Sequence, residues 1–420
     1  MKIQSTGSTL HGDILIPASK SHTIRAVAIA AVANGISVLR NPLMSDDARS
    51  AVHGATGMGA EVRLEKDWII RGNGGKPADS CRFIDVGNSG TTLRILTGLC
   101  ALGDHPVRFD GDASIRQRPM TPLLAALENL GVKVTGSTGG KCPFTIQGPI
   151  RGGNTTVNGV SSQFLTALLI ACPLAPADTE IVVENLNERP YVEITLDWLR
   201  RSGIRFEQQG PDWFRIFGGQ HYRAFERSIP ADFSSATFPL CAAAITGSEI
   251  LIRGLDFSDH QGDKAVFSYL EKMGTKIVHA TEGVWVKGGA LNGIDIDMNS
   301  TPDALPAMAV AACLARGTTR LLNVPQARLK ECDRIAACAK ELKKMGADIV
   351  ELEDGLVIRE SKLKGTEVHG YNDHRMVMAL AIAGLAAEGI TLADTAESAG
   401  VTYPTFLEDM NKLGANIKPI

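Results

Sequence analysis

Hydrophobic and polar positions alternate along the chain between two kinds of helical segment. Runs such as Ala304–Ala315 and Met376–Ala387 are apolar on every face, the pattern of a helix enclosed on all sides. Between such runs lie segments with charges on one face, which read as amphipathic helices packed on one side only. Each amphipathic segment stops at a glycine and enters a short strand. The six copies are ATGMGAEV, LENLGVKV, LRRSGIRF, LEKMGTKI, LKKMGADI and MNKLGANI. Their final glycines are Gly59, Gly131, Gly203, Gly274, Gly346 and Gly414, spaced by 72, 72, 71, 72 and 68 residues. Glycine suits such a stop, because the residue after a helix takes a left-handed conformation that a Cβ penalises.

A second set of positions has the same period. Polar clusters precede the six apolar helices: SKS at Ser19–Ser21, NSGTT at Asn88–Thr92, SSQ at Ser161–Gln163, DFSSA at Asp232–Ala236, PDALP at Pro302–Pro306 and NDHR at Asn372–Arg375. Lys20, Gly90, Ser162, Ser234, Ala304 and His374 mark them, at intervals of 70, 72, 72, 70 and 70 residues. Each unit reads as strand, buried helix, strand, amphipathic helix, strand. Solenoid repeats usually run about 20–45 residues, so units this long predict a small α/β motif used six times. The expected fold is α/β with two similar domains of three units each. The fourth unit begins near Arg227–Asp232.

Composition narrows the function. A chain of 420 residues fits two or three domains. Its 44% hydrophobic and 21% charged content excludes collagen-like and disordered classes. Forty-three basic against 46 acidic residues argue against general nucleic-acid binding, and 5% aromatics against base-stacking platforms. The longest apolar stretches are about a dozen residues, short of the roughly 18–20 that span a bilayer. The opening MKIQSTGSTLHGDI has no apolar leader pattern, so a cytoplasmic location is expected. Eight scattered cysteines without a CxxC pair fit reduced thiols.

The helix starts carry the candidate chemistry. Free N–H groups and a partial positive field make a helix start an anion site. N-capping alone accounts for any single cluster, but six in one frame, flanked by cations, point to an anionic ligand. NSGTT lacks the GxxxxGKS spacing of a nucleotide loop. The cations are Lys20, Arg25, Arg118, Lys330, Arg334 and Arg375. Two like charges about 6 Å apart repel by roughly 2.8 kcal/mol at an effective dielectric of 20, so such a group calls for a counter-anion. Candidate acids and bases are Asp303, Glu331 and His374. Blander roles remain open for each: a cap for Asp303, a local ion pair with Arg334 for Glu331, a structural imidazole for His374. No His/Cys/Asp cluster has zinc spacing, and no GxSxG is present.

PASKSHTIRA, GNSGTTLR, RQRP, SSQFLTALL, RPYVEIT, DFSSA, PDALP, RLKECDR and YNDHRM follow one another in this order. With them the chain resembles the 5-enolpyruvylshikimate-3-phosphate synthase family of enolpyruvyl transferases over essentially its whole length. The resemblance implies two domains of three βαβαββ units, an inside-out α/β barrel whose buried helices direct their N-termini at the interdomain cleft. The domains would be 12–228, on the shikimate 3-phosphate side, and 1–11 with 229–420, carrying Asp303, Glu331 and part of the phosphoenolpyruvate site. It implies transfer of the carboxyvinyl group of phosphoenolpyruvate to the 5-hydroxyl of shikimate 3-phosphate, by addition and elimination of phosphate. No cofactor, metal, nucleic acid or membrane is implied, and the protein is expected to be a monomer. Lys20, Gly90, Arg118, Gln163, Arg334 and Arg375 would hold phosphoenolpyruvate. Ser21, Arg25, Ser161, Ser162, Gln163 and Lys330 would hold shikimate 3-phosphate, with Tyr191 beneath its ring. Asp303 would be the base for the hydroxyl, and Glu331 with Lys20 the proton-transfer pair.

Three positions depart from the family pattern: Glu188 in NERPY where a serine is usual, Gln326 where an asparagine is usual, and Val401 where a lysine is common. The alternatives are a transferase of the same kind acting on UDP-N-acetylglucosamine or another acceptor, and a non-catalytic anion-binding homologue. The first would carry Lys-Asn near its start and a cysteine in the loop that here reads GDASIRQRP.

Overall fold

A computed structural model describes all 420 residues, Met1–Ile420. Twelve α-helices form six pairs, each a buried helix followed by an amphipathic one. They are α1 (Lys20–Val32) and α2 (Asp46–Gly57), α3 (Gly90–Cys100) and α4 (Thr121–Asn129), and α5 (Ser162–Ala171) and α6 (Arg189–Arg201). Then come α7 (Phe233–Thr246) and α8 (Ala265–Met273), α9 (Leu305–Cys313) and α10 (Arg334–Lys344), and α11 (His374–Ala386) and α12 (Phe406–Lys412). The predicted alternation is present in full. Every residue of α3 and α9 is buried, whereas α6 buries Val192, Ile194, Thr195, Leu196, Trp198 and Leu199 and turns its arginines outward. The six predicted stop glycines all have φ between 72° and 120°, the region where a side chain is strained.

The chain forms two compact units, one of residues Ala18–Pro230 and one of Met1–Pro17 with Ala231–Ile420. Each holds three βαβαββ motifs and three four-stranded sheets. In a typical sheet, Phe83–Asp85 pairs parallel with Val107–Asp110, and the hairpin of Phe144–Gln147 and Lys133–Thr135 adds two antiparallel strands. The first division, placed at residue 12 from the sequence, falls after Pro17. The reason is strand Asp13–Leu15, which pairs parallel with Leu251–Arg253. The strand Glu226–Ser228 stays with 18–230 because it pairs with Val38–Arg40.

Within 18–230, α1, α3 and α5 form the centre. Gly98 lets α3 and α5 approach closely: a Cβ there would stand 2.8 Å from the Ala167 carbonyl oxygen. In the other unit α7, α9 and α11 form the centre. Its last sheet takes the strand Ile3–Thr6 between Ile390–Ala393 and Asn416–Pro419, antiparallel to both. All eight cysteines are free and seven are buried. No helix is long and apolar enough to cross a membrane.

Candidate active site

In the unit 18–230 the helix starts carry cations and hydroxyls. Ser19 caps α1, accepting from the His22 N–H. Lys20 follows, its Nζ 3.2 Å from Asp47 Oδ2 on the first turn of α2. One turn on, Arg25 is fully buried. It donates from Nε to Thr195 Oγ1 (2.9 Å), from Nη1 to the Ser21 carbonyl (3.0 Å) and from Nη2 to the Tyr191 carbonyl (3.0 Å). Burial pulls its pKa down to about 10, with Tyr191 and Glu188 opposing the shift; the group stays charged at neutral pH. α3 starts at Gly90, where a Cβ would lie 2.4 Å from Arg94 Nη1 and 2.6 Å from Arg118 Nη1. A Cβ there would push both guanidinium ends aside, so the glycine leaves them room at that helix start. Arg118 Nη2 donates to Asn88 Oδ1 and Ser114 Oγ. Gln163 Nε2 donates to Thr91 Oγ1 at 3.2 Å, which ties the start of α5 to that of α3. Ser161 caps α5, and the Ser162 hydroxyl donates to Glu188 Oε2 at 2.8 Å.

The other unit gathers carboxylates around two arginines. Arg334, the first residue of α10, donates from Nε to Asp373 Oδ2, from Nη1 to Asp303 Oδ1 and from Nη2 to Glu331 Oε2, at 2.8, 2.8 and 2.7 Å. Burial works against its charge, but Asp373, Glu331 and Asp303 outweigh burial and hold its pKa well above the usual value. Asp373 also caps α11, accepting from the Arg375 N–H at 2.8 Å. The Arg375 side chain reaches Asp303 Oδ2 with Nη2 at 3.2 Å. Its Nε and Nη1 are buried without a hydrogen-bond partner. Asp263, before α8, accepts a hydrogen bond from Ser234 on α7. Burial and then the nearby Asp303 carboxylate push its pKa up to about 7, against the pull of Arg375 and the Ser234 bond.

Most of the residues singled out from the sequence thus lie in one group per unit. Lys20, Ser21, Arg25, Gly90, Arg118, Ser161, Ser162, Gln163 and Tyr191 sit on or beside the starts of α1, α3, α5 and α6. Asp303, Glu331, Arg334 and Arg375 form one bonded network, with Lys330 adjacent in the chain to Glu331. His374, the first residue of α11, is buried with Nδ1 3.9 Å from Asp373 Oδ1. Sequence reading missed Asp47, Arg94, Asp263 and Asp373. A periodic signal marks two of them. The segment at or just before the start of an amphipathic helix sets a charged side chain against the buried helix start of its own unit: Asp47 on Lys20, Arg118 over Gly90, Glu188 on Ser162, Asp263 on Ser234.

The model of the family described as EPSP synthase (3-phosphoshikimate 1-carboxyvinyltransferase) matches residues 4–410. The chain belongs to the EPSP synthase family. Its 3-phosphoshikimate 1-carboxyvinyltransferase relative in Acetivibrio thermocellus is 52% identical over 419 residues, covering 99% of both chains. The one in Ruminiclostridium cellulolyticum is 50% identical over 422 residues, covering both chains fully. The solved EPSP synthase of Acinetobacter baumannii is 26% identical, with a TM-score of 0.83 over 100% of this chain and 99% of that one. The inside-out α/β architecture expected of the family agrees with the three βαβαββ motifs in each unit. Of the three departures from the EPSP synthase pattern, Glu188 is bonded to Ser162. Gln326 donates to the Asn299 carbonyl (2.9 Å) and leaves its Oε1 buried without a hydrogen-bond partner. Val401 ends the 3-10 turn Ala396–Val401 and brings no cation.

Proposed function

We propose that the chain transfers the enolpyruvyl group of phosphoenolpyruvate to the 5-hydroxyl of shikimate 3-phosphate and releases phosphate. Protonation of the donor's methylene carbon makes C2 electrophilic, and the acceptor hydroxyl adds there as it loses its proton. The tetrahedral intermediate then expels phosphate and loses a methyl proton to restore the double bond. Both substrates are multiply anionic. Cationic helix starts and buried guanidiniums suit them, because charge-assisted bonds to carboxylate and phosphate are the strong ones.

Lys20, Gly90, Arg118, Gln163, Arg334 and Arg375 bind phosphoenolpyruvate in this reading. The observation that carries it is Arg375: a fully buried guanidinium leaves Nε and Nη1 without protein acceptors. Buried charged donors are costly unless bonded, and an anionic donor molecule supplies the acceptors. The glycine at position 90 supports the same reading, since it opens the α3 start to close approach. Ser21, Arg25, Ser161, Ser162, Gln163 and Lys330 hold shikimate 3-phosphate, with Tyr191 beneath its ring. Asp303 takes the hydroxyl proton, and Glu331 with Lys20 moves the proton at the methylene carbon. Asp303 and Glu331 share Arg334 as a common partner. Phosphoenolpyruvate and shikimate 3-phosphate are the partners this reading requires. Phosphate release should be measured with phosphoenolpyruvate and either shikimate 3-phosphate or UDP-N-acetylglucosamine. Release with the first acceptor alone is expected. Release with the second alone would replace the acceptor, and release with neither would leave an anion-binding homologue.

A further inference from the structure

Glu188 has no part in the roles assigned above, yet its carboxylate stands at the start of the helix given to the acceptor. The residue is 1% exposed. A carboxylate removed from water needs donors. Glu188 Oε2 accepts from the Ser162 hydroxyl at 2.8 Å and from the Ser162 N–H at 3.3 Å. That N–H belongs to the first turn of α5, whose donors have no helical acceptor and favour negative charge. Arg25 lies within electrostatic reach of the same carboxylate. Glu188 also holds the N-cap position of α6. It makes no side-chain cap there. Its backbone takes φ 57°, uncommon for a residue with a side chain, and the carboxylate serves α5 instead.

A helix N–H, a serine hydroxyl and a nearby guanidinium are the donors a phosphate oxygen would use. We propose that Glu188 is the acceptor-specificity residue of this chain: its carboxylate occupies the anion subsite at the start of α5 and opposes a phosphorylated acceptor. This rests on the proposed function, which gives Ser161 and Ser162 to shikimate 3-phosphate, and takes the acceptor's phosphate to be the part that meets them. The Ser162 hydroxyl has one proton and cannot donate to both anions at once. A phosphate entering here either displaces Glu188 from its donors or binds without Ser162 beside a fixed like charge. Both weaken the phosphorylated acceptor relative to the same ring without phosphate.

The test compares the wild type with Glu188→Gln, which keeps the shape and removes the charge, and Glu188→Ser, which removes both. Calorimetric binding of shikimate 3-phosphate and of unphosphorylated shikimate is measured beside the KM of each substrate. Removing one like charge at this range should tighten shikimate 3-phosphate about tenfold in Glu188→Ser and by a smaller factor in Glu188→Gln. Shikimate binding and the KM for phosphoenolpyruvate should move less than about twofold, since neither depends on the phosphate charge. Equal tightening of shikimate and its phosphate would mean a packing effect and would overturn the proposal. So would unchanged or weaker binding of the phosphate in a variant with wild-type melting temperature, which would make Glu188 a positioning residue for Ser162. If the wild type neither binds shikimate 3-phosphate nor turns it over, the functional reading has failed separately. Inorganic phosphate then probes the same donors. Tighter phosphate binding in Glu188→Ser would support the proposal, and unaltered binding would overturn it.

Discussion

The two units share a motif, a strand order and a set of glycine stops, and they differ in what their central helix starts carry. In 18–230 the starts of α1, α3 and α5 are capped by Ser19, Ser89 and Ser161, with Lys20, Arg25, Arg94 and Arg118 around them. In the other unit the starts of α7, α9 and α11 carry Asp232, Asp303 and Asp373, with Arg334 and Arg375 enclosed by them. One scaffold thus presents neutral caps with cations in one half and acids paired to buried arginines in the other. Helix geometry supplies N–H groups in both cases. The three serines each accept one helix N–H as caps, whereas of the three acids only Asp373 does; Asp303 and Asp373 give their oxygens to the buried arginines instead. On the proposed function, the first arrangement holds anions and the second moves protons.

If this division of labour holds, the largest separation is in turnover. Asp303→Ala and Glu331→Ala should each lower kcat by about 10²–10⁴-fold, the scale of acid–base groups. Ser161→Ala, in the hydroxyl-lined half, should act mainly on the KM for the acceptor. Steady-state kinetics with both substrates varied checks this, and near-normal kcat in both acid variants would dissolve the contrast. Stability should divide next. Arg334→Ala leaves three carboxylates around an emptied position and should cost about 3–5 kcal/mol in denaturant unfolding. Arg25→Ala loses hydrogen bonds to neutral oxygens only, with the Glu188 carboxylate a more distant partner, and should cost about 1–3 kcal/mol.

A pH experiment sharpens the acidic side. The folded pKa of Asp263 is raised from 3.8 to about 7, so the folded state binds that proton more tightly than the unfolded chain does. Its contribution is present below the unfolded value and is lost as pH rises from about 4 through about 7. Asp263→Asn still offers Ser234 an acceptor and should raise the melting temperature at pH 8 relative to wild type, with the gain shrinking toward pH 5. A gain independent of pH would place the effect in packing. The smallest effect belongs to the caps. Ser19→Ala should cost about 1 kcal/mol, read from the same unfolding curves.

The fold was legible in the sequence because two periodic signals coincided. The glycine stops and the polar helix starts each need particular residues for backbone reasons, and both reappear at the expected φ values and cap positions. The cationic residues, Arg94 excepted, were legible through their place at those starts. Asp263, Asp47 and Asp373 were not, because each looks like an ordinary acid near a helix start. Their meaning comes from which neighbour they meet: Ser234, Lys20 and Arg334. Glu188 stood out as an unusual residue, but its attachment to Ser162 depends on a left-handed backbone that no pattern announced. The boundary at Pro17 was missed because Asp13–Leu15 carries only three residues of alternation, and its partner Leu251–Arg253 lies far along the chain.

The strand Ile3–Thr6 lies between two strands from the far end of the chain. A ribosome making this protein therefore releases the opening residues long before their neighbours exist. The 18–230 half has every strand it needs once Ser228 emerges, and it can fold during synthesis. The other half must keep its first strand waiting until Asn416–Pro419 has been added. Of the two, the later half is the one whose yield should respond to chaperones and to slowed translation between Ile390 and Pro419.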